Sequence, residues 1–324
     1  MIKEAIVDKL DIQYLTNSSN TFGIVDLGCS VGPNTFITVQ NIIEAVDLKY
    51  KSQGLISPDF HVFFNDHTSN DFNTLFASLI QDPEKRRYFA TGVPGSFHTR
   101  LFPKGTLHFV HSSYALHWLS RVPKEVVDIN SPAYNKGRIN CTNAPREVLE
   151  AYATQYAKDM EAFLHARAQE IVCGGLMVIL VPAIPNATQP FPVSPRILFD
   201  LLGSCLLDMA KMGVVDEARI DSFNLPMYST STQELETLVE RNGCFSVERM
   251  EIMSRPRLSN PQVYSDHIRA VTEGLIKQHF GSEILDELFD RYSKKLEDSL
   301  SIFKSGKATL LFVLLKRNTS IIDN

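Results

Sequence analysis

The 324 residues are 44% hydrophobic and 21% charged, a composition that fits one large α/β domain with an insertion or two modest domains and excludes a fibre or a disordered tail. Lys and Arg total 32 against 37 Asp and Glu, so a formal charge of -5 leaves no basic surplus for a nucleic-acid backbone or an anionic membrane. Cys29, Cys141, Cys173, Cys205 and Cys244 are odd in number and lack CxxC spacing, which argues against a disulfide framework or a structural zinc and for a reducing compartment, read as the cytoplasm.

In chain order, Met1 to Asp8 mixes charge where a signal peptide requires an unbroken apolar stretch. Phe22 to Leu27 reads as a strand, Thr35 to Lys49 as a helix from the spacing of Phe36, Val39, Ile42, Ile43 and Val46, and His61 to Phe64 as a second strand. That is a βαβ unit. Further strands are expected at Thr106 to Val110, Leu176 to Val181, Cys244 to Met250 and Ala308 to Leu315, with a long helix over Arg146 to Val172. The apolar runs Leu176 to Ile184 and Thr309 to Leu315 are far shorter than the ~20 residues of a membrane span. Alternation of this kind predicts an α/β fold, a mostly parallel sheet with helices on both faces. Segments 123–145, 182–231 and 255–303 interrupt it with prolines or long helical patterns. They are expected to form a helical cap over a core made of 1–122, 146–181, 232–254 and 304–324.

The chemistry-bearing turn follows the first strand: Asp26-Leu27-Gly28-Cys29-Ser30-Val31-Gly32-Pro33-Asn34. Gly28 and Gly32 can supply positive φ and room for a ligand against bare backbone, but GxxxG is not the dinucleotide GxGxxG. A purely structural turn is the alternative. The second strand ends in Asn65-Asp66-His67, and a carboxylate at that tip can accept both hydroxyls of a ribose. Its alternative role is a cap for a helix beginning near Asp71. With no P-loop lysine, the pair points to a nucleoside ligand without a polyphosphate.

Together with Gly92-Val93-Pro94-Gly95-Ser96-Phe97 and Ser112-Ser113-Tyr114-Ala115-Leu116-His117-Trp118-Leu119-Ser120, these motifs make the chain resemble the plant SABATH family of S-adenosylmethionine-dependent methyltransferases. The resemblance runs in order from about Ile24 through Asn224 to the last strand. It implies a class I, Rossmann-like methyltransferase core with a helical cap, usually a homodimer, acting on small carboxylic acids or, in one branch, on xanthine nitrogens. By the same resemblance Gly28, Cys29, Asn34, Asp66, His67, Ser96 and Phe97 would contact the methyl donor; family members often carry leucine at the place of His67. Tyr114, His117 and Trp118 match substrate-pocket positions, and a magnesium site described for some members would fall on Asn135, Asp221, Phe223 and Asn224. Family chains usually begin with a segment of thirty to forty residues, rich in Met, Gly, Ser, Tyr, Asn and Gln, that closes over the donor. This sequence starts downstream of it, so a shortened form with weakened transfer, acting by binding or by pairing with a relative, is a further reading beside the acid and xanthine enzymes.

A carboxylate with a pKa near ~4 is already ionised at neutral pH, so its methylation needs no general base and rests on positioning. Neither a nucleophilic serine nor a catalytic base is expected. Trp118, the one tryptophan, offers an N–H to a carboxylate oxygen; its spacing with Tyr114 and His117 also reads as a helical stripe in the core. His108 and His111 lack the partners of a zinc site.

Overall fold

The computed structural model describes residues 1–12, 21–79, 86–184, 196–256, 260–299 and 307–319. The strands are β1 (Thr21–Leu27), β2 (Asp59–Asp66), β3 (Phe89–Pro94), β4 (Leu107–Ser113), β5 (Ile171–Ile184), β6 (Thr230–Ser231), β7 (Phe245–Pro256) and β8 (Lys307–Arg317). The helices are α1 (Ile2–Lys9), α2 (Pro33–Ser52), α3 (Phe72–Ala77), α4 (Arg146–Glu170), α5 (Arg196–Lys211), α6 (Glu217–Asp221), α7 (Thr232–Asn242), α8 (Pro261–Phe280) and α9 (Leu285–Asp298).

Seven strands form one path in the order β3-β2-β1-β4-β5-β8-β7, and β6 pairs with the end of β5. The pairings from β3 to β5 are parallel, whereas β8 runs antiparallel to both neighbours. Period-two alternation divides the buried side chains between the two faces. Val25, Val110, Met177, Ile179 and Val313 pack with Tyr152, Tyr156 and Phe163 of α4 and Leu235 and Leu238 of α7. Their sequence neighbours Ile24, Phe109, Leu176, Val178 and Phe312 face the other way, onto Ile6 of α1 and Val39, Ile42, Ile43 and Val46 of α2. Each such Val, Leu or Ile contributes roughly 1.5–3 kcal/mol on burial, and both faces of the sheet are covered this way.

A third apolar cluster is built from Ile139, Leu202 and Leu206 of α5, Ile220 of α6, Ile268 and Ile276 of α8, and Leu288, Phe289 and Tyr292 of α9. It therefore draws on the three segments that interrupt the alternation. One detail differs from the sequence expectation. The helical stretch after Asn260 is two helices broken at Gly281, whose φ of 98° ends α8, with the part beyond 299 outside the described residues. Residues 185–195, within the second interruption, also lie outside them.

Candidate active site

The four sequence motifs meet because β3, β2, β1 and β4 are adjacent and parallel, which puts their carboxyl ends side by side. Gly28 leaves β1 with φ of 80°, and the N–H groups of Gly28 and Cys29 both donate to the Asn65 carbonyl at the neighbouring strand end, 2.9 and 3.0 Å away. Gly32 does not use its freedom: it caps α2 in an extended conformation, and Ser30, with φ of 52°, takes the left-handed position. No side chain caps α2 at that end, Pro33 occupies its first turn, and that turn carries no acidic side chain of its own, so its positive end faces the glycine turn. Cys29 is buried, with burial pushing its thiol pKa up, whereas Asn34 is exposed on the first turn of α2.

Asp66 is half-buried at the β2 tip. Its Oδ2 accepts the Ser30 N–H and its Oδ1 the His67 N–H, each at 2.7 Å, tying the β1 and β2 tips together. It is not the cap of α3, because Asp71 fills that place by accepting from the Thr74 N–H at 2.9 Å. The Asp66 carbonyl accepts from the Gly95 N–H at 2.9 Å, so the β3 motif joins the same cluster. Phe97 is buried, and its ring lies 6.4 Å from that of exposed His67. The Ser96 hydroxyl accepts from the His98 N–H at 3.3 Å.

Beneath this turn lies a network that sequence reasoning missed. Buried Asp26 accepts from the Thr35 hydroxyl at 2.5 Å and pairs with Nδ1 of buried His111 at 2.7 Å. It joins β1, α2 and β4 under the ligand-facing backbone. His108, three positions earlier on β4, accepts the Gly23 N–H at Nδ1, 3.0 Å away, and burial pushes its pKa down to about 4.

Tyr114, His117 and Trp118 are not on a helix. They follow β4 in a turn opened by Tyr114, whose φ is 54°, and strapped to the 226–228 segment by Leu119 N–H to Pro226 O at 2.7 Å and Tyr228 N–H to His117 O at 2.9 Å. The turn makes one wall of a cavity of about 240 Å³. Other walls come from Asn140, Cys141 and Thr142, from Leu198 and Phe199 of α5, from Tyr264, His267 and Ile268 of α8, and from Thr309 and Leu310 of β8. His117 is buried with no partner for Nδ1; burial, reinforced by nearby His267, pushes its pKa down to about 3, so the ring is neutral at physiological pH. The residues of this wall on the 140–142 stretch, α5 and α8 lacked any sequence motif.

The structure brings Asn135, Asp221, Phe223 and Asn224 close together, with the Asp221 carboxylate, the Asn135 amide NH2 and Asn224 Oδ1 hydrogen-bonded and Asn135 Oδ1 and Asn224 Nδ2 buried without a partner. Asp221 accepts from the Gly137 N–H at 2.7 Å and the Tyr134 hydroxyl at 3.1 Å. Asn135 donates its amide to Asn224 Oδ1 at 2.7 Å and to the Asn140 carbonyl at 2.9 Å. Tyr152 adds a further donor to Asn224 Oδ1 at 3.3 Å. Magnesium demands a near-octahedral set of free oxygens. The four residues form a hydrogen-bonded junction of two loops in which both Asp221 oxygens are engaged while Asn135 Oδ1 is buried without a hydrogen-bond partner, and magnesium there rests on the family resemblance alone. Among the described residues no group of three or more His, Cys, Asp or Glu is placed to hold a metal.

A sheet of order β3-β2-β1-β4-β5-β8-β7 with one antiparallel strand, carrying a glycine turn and a strand-tip carboxylate, defines a class I S-adenosylmethionine-dependent methyltransferase. A model of the SAM-dependent carboxyl methyltransferase family matches residues 1–318. Loganic acid O-methyltransferase of Catharanthus roseus is 48% identical over 325 residues, spanning 98% of this chain and 86% of that protein. Farnesoic acid carboxyl-O-methyltransferase of Arabidopsis thaliana is 40% identical, spanning 98% and 90%. A solved loganic acid methyltransferase with SAH superposes with a TM-score of 0.92 at 47% identity, covering 98% of this chain and 91% of that one. The chain belongs to the SAM-dependent carboxyl methyltransferase family, the plant SABATH enzymes, and methylates a carboxyl group with S-adenosylmethionine as donor.

Proposed function

We propose that the acceptor is a small plant acid of the salicylate, benzoate, jasmonate or farnesoate kind, held in the 240 Å³ cavity with its carboxylate toward Trp118. The observation that carries this reading is the contact between the two turns: a Cβ on Gly28 would fall 2.4 Å from the Ala115 Cβ, so the donor turn and the turn bearing Trp118 are packed backbone to side chain. The cavity volume lies below the ~300–1,000 Å³ usual for drug-sized ligands, which favours a small acid.

The donor supplies an electrophilic sulfonium methyl. Asp66 accepts the ribose hydroxyls; Gly28, Cys29, Asn34 and His67 shape the surrounding surface, and Ser96 and Phe97 close its far side. Trp118 donates its indole N–H to a carboxylate oxygen, which fixes the nucleophile, while Tyr114 fills the rim. His117 is neutral and so provides a hydrogen bond to a polar substrate edge rather than a countercharge. No proton is removed, because the acid is ionised before it binds. Catalysis is alignment of oxygen, methyl and sulfur with water excluded by the walls.

The cap proposed from 123–145, 182–231 and 255–303 contributes those outer walls. Cys29, Cys141, Cys173, Cys205 and Cys244, none of them in a disulfide among the described residues, support a reducing, cytoplasmic setting, and the family resemblance supports a homodimer, which sedimentation can measure. No helix among the described residues is long and apolar enough to cross a membrane. The test is labelled methyl transfer from S-adenosylmethionine to a panel of these acids and to xanthines. A base-labile methyl ester from at least one acid and none of the xanthines is expected; an N-methyl product would overturn the reading.

A further inference from the structure

The last turns of α4 carry two charged side chains, Arg167 and Glu170, with no solvent exposure at all. They pair at 2.6 Å, Arg167 Nε to Glu170 Oε2, but most of their hydrogen-bonding capacity goes elsewhere. Arg167 Nη1 donates to the Phe97 carbonyl and Nη2 to the Thr99 carbonyl, both at 2.9 Å. Glu170 Oε1 accepts the Leu101 N–H at 2.5 Å and the Phe102 N–H at 3.0 Å. Residues 97–102 belong to no helix or strand, so these bonds replace the backbone pairing that regular structure would supply. Phe163, one turn back on the same helix face, stacks edge-on against Phe97 at 6.4 Å and lies under the Arg167 guanidinium at 5.3 Å.

A buried ion pair is a poor route to stability alone, because desolvating both charges offsets their attraction and an apolar pair of similar volume is often as stable or more so. What an apolar pair cannot do is fix carbonyl and amide groups of an irregular segment in register. The segment fixed here begins at the residue after Ser96, beside the Asp66 tip.

We propose that Arg167 and Glu170 are positioning residues for the methyl donor, clamping the 97–102 loop so that Ser96 and Phe97 present a preformed wall to its nucleoside. This rests on the assignment of Ser96 and Phe97 to the donor site. The pair acts first on donor binding, since neither residue and no part of the 97–102 loop lines the acid cavity.

The experiment compares the full chain with an Arg167→Met/Glu170→Leu double variant and with Glu170→Gln, measuring S-adenosylhomocysteine affinity by calorimetry, KM for donor and for acid, and thermal midpoint. The double variant is expected to stay folded while losing at least tenfold in S-adenosylhomocysteine affinity and gaining a similar factor in donor KM, with acid KM within twofold of the parent. A folded double variant with parental donor affinity overturns the proposal. If the double variant does not fold, Glu170→Gln decides: hydrogen exchange at Leu101 and Phe102 should accelerate and donor affinity fall severalfold, and faster exchange with unchanged affinity overturns it. Failure of the parent protein itself to bind S-adenosylhomocysteine would instead refute the donor-site assignment.

Discussion

Replacing Asp66 by alanine tests the donor site at its most informative atom. The carboxylate holds the Ser30 and His67 N–H groups at 2.7 Å each, and in the proposed complex it also accepts two ribose hydroxyls. Hydrogen bonds to a charged acceptor contribute about 1.5–3 kcal/mol each, so losing the two ribose bonds alone costs at least about 3 kcal/mol, or roughly 100-fold in donor affinity. Releasing Ser30 adds to this, because its φ of 52° is an uncommon conformation held partly by that bond. Asp66→Asn keeps one carbonyl acceptor and should fall between alanine and the parent. The fold should survive in both, since Asp66 sits at a strand tip outside the apolar clusters. Calorimetric titration with S-adenosylhomocysteine reads the effect. Folded Asp66→Ala protein with parental affinity would show that the carboxylate only ties the two strand ends together, and the ribose assignment would fall.

Trp118→Phe keeps most of the ring and deletes the N–H, so acid KM should rise about tenfold, the order expected for a hydrogen bond to a charge, with donor affinity intact. A collapse in thermal stability with normal kinetics would assign the ring to packing. Part of the acid sensitivity should come from His108, which must be neutral to accept the Gly23 N–H. Its folded pKa of about 4 lies below the ordinary value of ~6.5, so its stability contribution is complete above about pH 6.5 and is lost as pH falls toward 4, at up to ~1.4 kcal/mol per pH unit. Urea unfolding of the parent and of His108→Gln at pH 7 and 5 checks this: the variant should lose less between the two, and equal losses would contradict the assignment.

The first βαβ unit was readable because β1 is an uninterrupted buried run and α2 carries its apolar residues at helical spacing. β3 was not, because Phe89–Pro94 is a short edge strand containing glycine and proline with little buried surface. Tyr114, His117 and Trp118 looked like a helical stripe, yet a tight turn with a positive φ at Tyr114 also gathers them on one wall. Arg167 and Glu170 carry no sequence signal beyond their i,i+3 spacing; only the tertiary fold reveals that both are buried against a loop. The same holds for Asp26 and His111, whose pairing spans 85 positions and has no local signature. Strand-tip motifs are legible because local backbone demands fix their residue types, whereas walls assembled from distant segments, such as Asn140 and His267, leave no pattern along the chain.

In the proposed chemistry an ionised carboxylate is methylated by positioning, with no proton removed in the transition state. Its most direct test is the pH dependence of kcat/KM for one accepted acid at saturating donor, from about two pH units above the ~4 of a carboxylic acid up to mildly alkaline conditions. A level profile is expected across that range, with His117, pushed down to about 3, neutral throughout. A rising limb with an apparent pKa between about 6 and 8, the same for acids of different acidity, would reveal a general base in the enzyme and contradict it.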